Sequence, residues 1–272
     1  MGRPLGQHFL RDKNIIAKII SAAEISKQDH VLEIGPGQGA ITGELLERAG
    51  AVTAVELDHE LAEGLRHLPG LHLIEGNILN ADLPALLGND ERISSPPAQE
   101  RSWKVVANLP YYITTPILEK LLMNSGNYLN YIVVMIQREV AERIAALAKR
   151  DTGALSYFVN YYSQVEYLFT VKPGCFAPPP KVDSAVIKLT LYRQPPVSAP
   201  PKELFRVVRA AFQDRRKTLR RSLQKLEGSF KVKSWDDVWK QADIDPQRRP
   251  ETLTLPEFSD LTEALIANSP HL

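Results

Sequence analysis

Short apolar runs rich in β-branched residues alternate with amphipathic helical stretches through roughly the first two hundred residues, which restricts the possible folds more than any other feature of the chain. Repetition of this kind covers both faces of a parallel sheet with helices, the doubly wound α/β arrangement. Strands are predicted near 30–34, 51–56, 71–75, 104–108 and 131–136. Helices are predicted at 12–23, 39–48, 59–67, 115–123 and 138–148, each with apolar residues recurring at three and four. Then the rhythm changes. Ser163–Val171 and Ser184–Tyr192 are strand-like, and the connection between them is too short for a crossover helix. They are expected to pair antiparallel at the sheet's end, for seven strands in all. Gln194–Pro201 is proline-rich and reads as a stiff linker, while 202–272 is helical without strand alternation. The expected organisation is a domain at 1–193, a linker at 194–201 and a small all-helical domain at 202–272. Residues 88–102, polar with Pro96-Pro97, read as a surface loop.

A chain of 272 residues accommodates one full domain and a smaller one. The single cysteine, Cys175, excludes a disulfide framework and offers no metal cluster, so no metal site is expected. Met1–Leu10 has no apolar stretch of signal-peptide length, and runs such as Tyr131–Ile136 are far too short to span a bilayer. The expectation is a soluble, cytoplasmic protein with no membrane partner. No exposed heptad suggests obligate pairing, so a monomer is expected. The net charge of +1 announces no nucleic-acid partner, but its distribution does: Lys202–Glu227 carries nine Lys or Arg against three acids. Arg215, Arg216, Lys217, Arg220 and Arg221 are the candidate phosphate contacts. The competing reading is a solvated helical face, since Phe205, Val208, Phe212, Leu219 and Leu223 form a buried stripe there.

Two segments carry chemistry. The first strand leads into Glu33-Ile34-Gly35-Pro36-Gly37-Gln38-Gly39-Ala40, whose glycines let the backbone turn tightly and approach a ligand at a helix start. Glu56 ends the next strand, where an acid can hold ribose hydroxyls. This pattern leaves both NAD and S-adenosylmethionine open. Asn77, ending the third strand, can read an adenine edge, and Asn108, ending the fourth, lies where a reactive methyl group would be. Both favour S-adenosylmethionine, and nothing in the chain looks like hydride-transfer machinery. The second segment, Val105-Val106-Ala107-Asn108-Leu109-Pro110-Tyr111, runs an apolar strand into a carboxamide, a residue restricted by the following proline, and an aromatic ring. Asn108 and the Leu109 carbonyl can accept from the N–H groups of an exocyclic base amine, while Tyr111 offers a face for stacking. Gly6-Gln7-His8-Phe9-Leu10 precedes the first helix and is expected to fold over the cofactor.

Assembled, these segments resemble the rRNA adenine dimethyltransferase family, and within it the small-subunit branch responsible for kasugamycin sensitivity. The resemblance covers almost the whole chain and rests on Gly6–Leu10, Glu33–Gly39, Val55–Asp58, Asn108–Tyr111, Phe176–Ser184 and Phe212–Leu219. It implies a Rossmann-like class I methyltransferase sheet with S-adenosyl-L-methionine as cofactor. His8, Leu10, Gly35, Gly37, Glu56, Asn77 and Asn108 would contact that cofactor. Asn108, Leu109, Pro110 and Tyr111 would hold the target adenine, with Phe176 on its other face. Similar proteins commonly carry aspartate where this chain has Asn77, and the amide keeps an acceptor while losing the charge.

The activity implied is transfer of methyl groups to N6 of two adjacent adenines in the 3'-terminal hairpin loop of 16S rRNA, within the immature small ribosomal subunit. Attack by N6 on a sulfonium methyl needs alignment and hydrogen bonding to the amine rather than a strong base. Gripping the base on both faces implies an unpaired loop adenine. Four rival readings stand beside this one. They are a large-subunit (23S) rRNA methyltransferase of the antibiotic-resistance type, a DNA amino-methyltransferase, a ribosome-assembly or transcription factor with vestigial catalysis, and a dinucleotide-dependent dehydrogenase.

Overall fold

The computed structural model describes residues 7–88, 103–124, 128–148, 150–214, 216–226 and 230–269. The chain divides into two compact units, one formed by Met1–Glu142 with Ser163–Arg193, the other by Arg143–Tyr162 with Gln194–Leu272. The loop expected at 88–102 falls, apart from Gly88, outside the described residues, as do Gly6 and Arg215.

In the first unit a two-residue strand, β1 (Phe9–Leu10), precedes the sheet strands β2 (His30–Ile34), β3 (Ala51–Glu56), β4 (Leu71–Glu75), β5 (Trp103–Asn108), β6 (Leu129–Gln137) and β7 (Ser163–Val171). A second short strand, β8 (Phe176–Ala177), and the long β9 (Ser184–Leu191) complete the set. The main sheet has seven strands in the order β4-β3-β2-β5-β6-β9-β7. Pairing is parallel from β4 to β6, and β9 runs antiparallel to both β6 and β7. Strands β2, β3 and β5 are buried almost throughout, which is why they read as continuous apolar runs without alternation. From β2 the chain proceeds to β3 and β4 on one side, then returns to β5 on the other. That reversal opens a crevice at the carboxyl ends of β2 and β5, where doubly wound sheets bind ligands.

Local chemistry sets the helix boundaries. Helix α1 (Lys13–Ala22) starts where the Asp12 carboxylate accepts the amides of Asn14 and Ile15, and it buries Ile16, Ile19 and Ile20 at helical spacing. Helix α2 (Thr42–Arg48) begins three residues later than expected, because Gly37 and Gly39 both hold positive φ. Helix α3 (His59–Leu65) is capped by Asp58, which accepts the Leu61 amide at 3.1 Å.

The second unit is helical and includes Ala154–Tyr162, a helix absent from the sequence expectation. Its residues belong with this unit, not with the sheet, although they precede 193. The Tyr157 hydroxyl donates to the Leu253 carbonyl at 2.6 Å, and its ring packs on Phe212 and Phe258. Phe158 and Tyr161 pack on Phe205 in the helix Pro201–Phe212. With buried residues at consecutive positions, this segment shows no stripe that a 3.6-residue period could reveal. Ala199 and Ser198 of the proline-rich segment bond to Ser259 and Glu263 of the helix Leu255–Ala267. Among the described residues no helix is long and apolar enough to cross a membrane.

Candidate active site

A cavity occupies the crevice, lined by Gln7–Leu10, the glycine loop after β2, Glu56 at the end of β3, and Asn108–Tyr111 after β5. The glycines are required by geometry. Gly37 has φ +59°, and a Cβ there would lie 3.1 Å from the Phe9 ring; a Cβ on Gly39 would meet the Leu65 side chain at 2.8 Å. Both positions hold positive φ, where any side chain is strained, and an added Cβ would force the Phe9 ring or the Leu65 side chain to shift. Glu56 is buried, and its two oxygens accept the amides of Gly37 at 3.0 Å and Asp58 at 2.9 Å. This carboxylate ties the glycine loop to β3.

Asn108 ends β5, and its carboxamide donates to the main-chain carbonyl of His8 at 3.1 Å. A carbonyl can only accept, so this contact assigns the amide nitrogen to His8 and leaves the amide oxygen as an acceptor. His8 is fixed in turn: its Nδ1 donates to the Pro178 carbonyl at 2.8 Å. The Leu109 amide donates to Met135, and the Thr114 hydroxyl donates to the Pro110 carbonyl at 3.1 Å, so the chain on either side of Tyr111 is held. Tyr111 lines the cavity, with its hydroxyl 2.6 Å from Ser184 Oγ and its ring 5.9 Å from the His8 ring. Burial pushes the Tyr111 phenol above its usual range, so it stays protonated at neutral pH.

The structure therefore brings His8, Leu10, Gly35, Gly37, Glu56, Asn108, Leu109, Pro110 and Tyr111 to one cavity. Asn77 and Phe176 are placed differently. Asn77 caps the turn Ile78–Asn80, accepting the Leu79 amide at 2.9 Å, and does not line the cavity. Phe176 is 5% exposed in the core cluster, and its backbone pairs with Leu10. In the second unit Arg216, Lys217, Arg220 and Arg221 are all exposed. Lys217 pairs with Asp214 at 3.3 Å and Arg220 with Asp236 at 2.9 Å, whereas Arg216 and Arg221 have no ion pair among the described residues.

Sequence reasoning passed over Glu33 and Phe9. Glu33 is 2% exposed and lines the cavity, and its Oε2 lacks a hydrogen-bond partner. Its signal was a charged residue inside the apolar run His30–Ile34. Among the described lining residues the acids are Glu33 and Glu56, with no Lys or Arg. Such a wall suits the ammonium and sulfonium of S-adenosylmethionine and gives a pyrophosphate no side-chain cation. The closely packed glycine loop and the partnerless Glu33 oxygen fit that cofactor.

The sequence model of the ribosomal RNA adenine dimethylase family matches residues 2–260. A protein named ribosomal RNA small subunit methyltransferase A, from Clostridium botulinum (strain Loch Maree / Type A3), is 43% identical over 267 residues, covering 96% of this chain and 92% of that relative. Among solved structures, a dimethyladenosine transferase from Plasmodium falciparum is similar with a TM-score of 0.75 at 27% identity, covering 93% of this chain and 96% of that one. The 23S rRNA methyltransferase ErmE is similar with a TM-score of 0.67 at 25% identity, covering 94% and 99%.

Proposed function

The chain belongs to the ribosomal RNA adenine dimethylase family, and from that membership we propose that it methylates N6 of two adjacent adenines in the 3'-terminal hairpin loop of 16S rRNA, in the immature small subunit. The methyl donor is S-adenosyl-L-methionine, which supplies an electrophilic methyl group on a positively charged sulfur. The small-subunit reading is favoured over the large-subunit one by 43% identity to a small-subunit enzyme against 25% to ErmE.

The observation that carries this reading is the Asn108 amide bound to the His8 carbonyl. It leaves Asn108 Oδ1 to accept an N–H of the adenine amine, drawing the nitrogen lone pair out of conjugation. The Leu109 carbonyl, directed by Pro110, takes the second N–H. Tyr111 supplies a stacking face. Phe176 is proposed for the other face, which requires its ring to leave the core cluster as the base enters. Glu56 and the glycine loop hold the donor's ribose and methionine ends; Asn77 is proposed for its adenine, which requires the cofactor to extend beyond the present cavity lining to the Asn77 side chain that caps Ile78–Asn80. Phosphates of the hairpin lie on the cations Arg215–Lys217, Arg220 and Arg221.

Two measurements test the proposal together. Purified protein should transfer label from the donor to small-subunit rRNA. Primer extension across that RNA should show a new block at adjacent loop adenines, absent from cells lacking the protein. Transfer to 23S rRNA instead would move the chain to the other branch, and no transfer to either would leave an assembly factor.

A further inference from the structure

Glu33 stands one residue from the end of β2, buried, with a carboxyl oxygen that nothing satisfies. The Thr42 hydroxyl, fully buried at the start of α2, approaches the carboxyl without making a well-formed hydrogen bond, and Thr42 Oγ1 is itself left without a partner. Glu56 is the other acid of the cavity, and both of its oxygens are occupied by backbone amides. Among the described residues no neighbouring element offers Glu33 a cation. Lys104 on β5 sits toward the strand's other end, bound to Asp29 at 2.8 Å. On α2, Glu44 and Arg48 pair with each other on an exposed face. His8 is tied to Pro178. Burial, partly offset by Thr42 and reinforced by the Glu56 charge, pushes the Glu33 carboxyl up to about 8.

We propose that Glu33 holds a proton in the free protein and releases it to solvent when the methionine end of the cofactor enters, becoming the counter-charge of that cationic end. The inference rests on the use of S-adenosylmethionine argued above and concerns how this site recognises it. No bond to the cofactor forms or breaks; one carboxyl O–H gives its proton to buffer. The sign follows from linkage. Where the free site is protonated, binding must also remove a proton, so affinity rises with pH until Glu33 is already ionised. The expected gain is about tenfold from pH 6 to 7 and about fivefold from 7 to 8, with a plateau above.

Titration calorimetry of the full-length protein with S-adenosylmethionine near neutral pH, in two buffers of different ionisation enthalpy, counts the protons exchanged. Glu33→Gln keeps the shape and the neutral form but has no proton to release, and comparison with it subtracts any proton contributed by the ligand's own ammonium. The wild type should release about 0.9 proton more than the variant near pH 7, and the variant's affinity should lack the rise from pH 6 to 8 that Glu33 gives the wild type. Equal proton counts in the two proteins, or a wild-type affinity constant over that range, would overturn the inference while leaving the proposed function intact. Absence of binding by the wild type at every pH would remove both. If Glu33→Gln does not fold, the wild-type proton count decides once the proton exchanged by the free ligand's own ammonium, known from its titration, is subtracted.

Discussion

The side-chain amide of Asn108 is oriented by the main-chain carbonyl of His8, a residue 100 positions earlier in the chain, at 3.1 Å. The group that must accept the adenine's N–H hydrogen bond is thus aimed by the segment that closes the cofactor side of the cavity. Asn108→Ala should lower turnover by about 10²–10³-fold, the range seen when one preorganised hydrogen-bonding group is removed from an active site. The lost hydrogen bond should cost about 1 kcal/mol, a melting shift of a few degrees. Labelled methyl transfer and thermal melts check both, and unimpaired turnover in the variant would remove Asn108 from the mechanism.

Tyr111 separates ring from hydroxyl. Tyr111→Phe loses only the contact with Ser184 and should keep activity within a few-fold. Tyr111→Ala loses the stacking face, worth about 1–3 kcal/mol per base, and should reduce kcat/KM for RNA by about 10–100-fold. Its cofactor affinity should change far less, as read by stabilisation with S-adenosylhomocysteine. Equal losses in the two variants would show that the hydroxyl, not the ring, matters.

A buried ion pair far from the cavity sets an acid limit on stability. At Asp29, burial raises the carboxyl, but hydrogen bonds from Lys104 and Ser26 and the Lys104 charge outweigh it, holding the group below its usual 3.8. A depressed folded-state value contributes stability above the unfolded value and loses it as pH falls through the folded one. Lys104→Met leaves Asp29 without that partner and should cost about 3 kcal/mol near neutral pH. The difference from wild type should be smaller at an acid pH below the depressed folded-state value, where Asp29 is protonated in both. Urea unfolding at the two pH values measures this, and an unchanged difference would exclude the pair as its source.

Cations already bound to acids neutralise phosphate less readily than free ones. Replacing Arg216 and Arg221 together by Ala should weaken RNA binding and reduce the salt slope by about 1.5. The same change at Lys217 and Arg220, paired with Asp214 and Asp236, should do less. Binding isotherms at several salt concentrations decide, and identical slopes for both double variants and wild type would move the RNA surface elsewhere.

The parallel strands His30–Ile34 and Ala51–Glu56 were legible because burial on both faces writes itself as nearly unbroken apolar runs, and the half-exposed edge strand Leu71–Glu75 also falls at its expected position. The helix Ala154–Tyr162 was not, since a segment buried around most of its circumference has no periodic face. The pairing of β1 with β8 was invisible for a different reason: two-residue strands joined across the length of the first unit have no local pattern at all. In the cavity, the glycine loop and Asn108–Tyr111 could be read from residue type and spacing. The partnerless state of Glu33 could not, because it depends on which neighbours are already engaged.

The β1–β8 pairing spans only two registered residue pairs, Phe9 with Ala177 and Leu10 with Phe176, followed by the Arg11 amide on the Cys175 carbonyl. Main-chain hydrogen bonds at about 1 kcal/mol each hold so short a ribbon weakly, and its main tie to the rest of the first unit is the burial of Leu10 and Phe176 in the core cluster. The expected behaviour is that of a latch, the mouth of the cavity unfastening while the floor keeps its shape. Amide exchange at Arg11 should then outrun that of β2 and β5 by orders of magnitude, and slow when S-adenosylhomocysteine is bound.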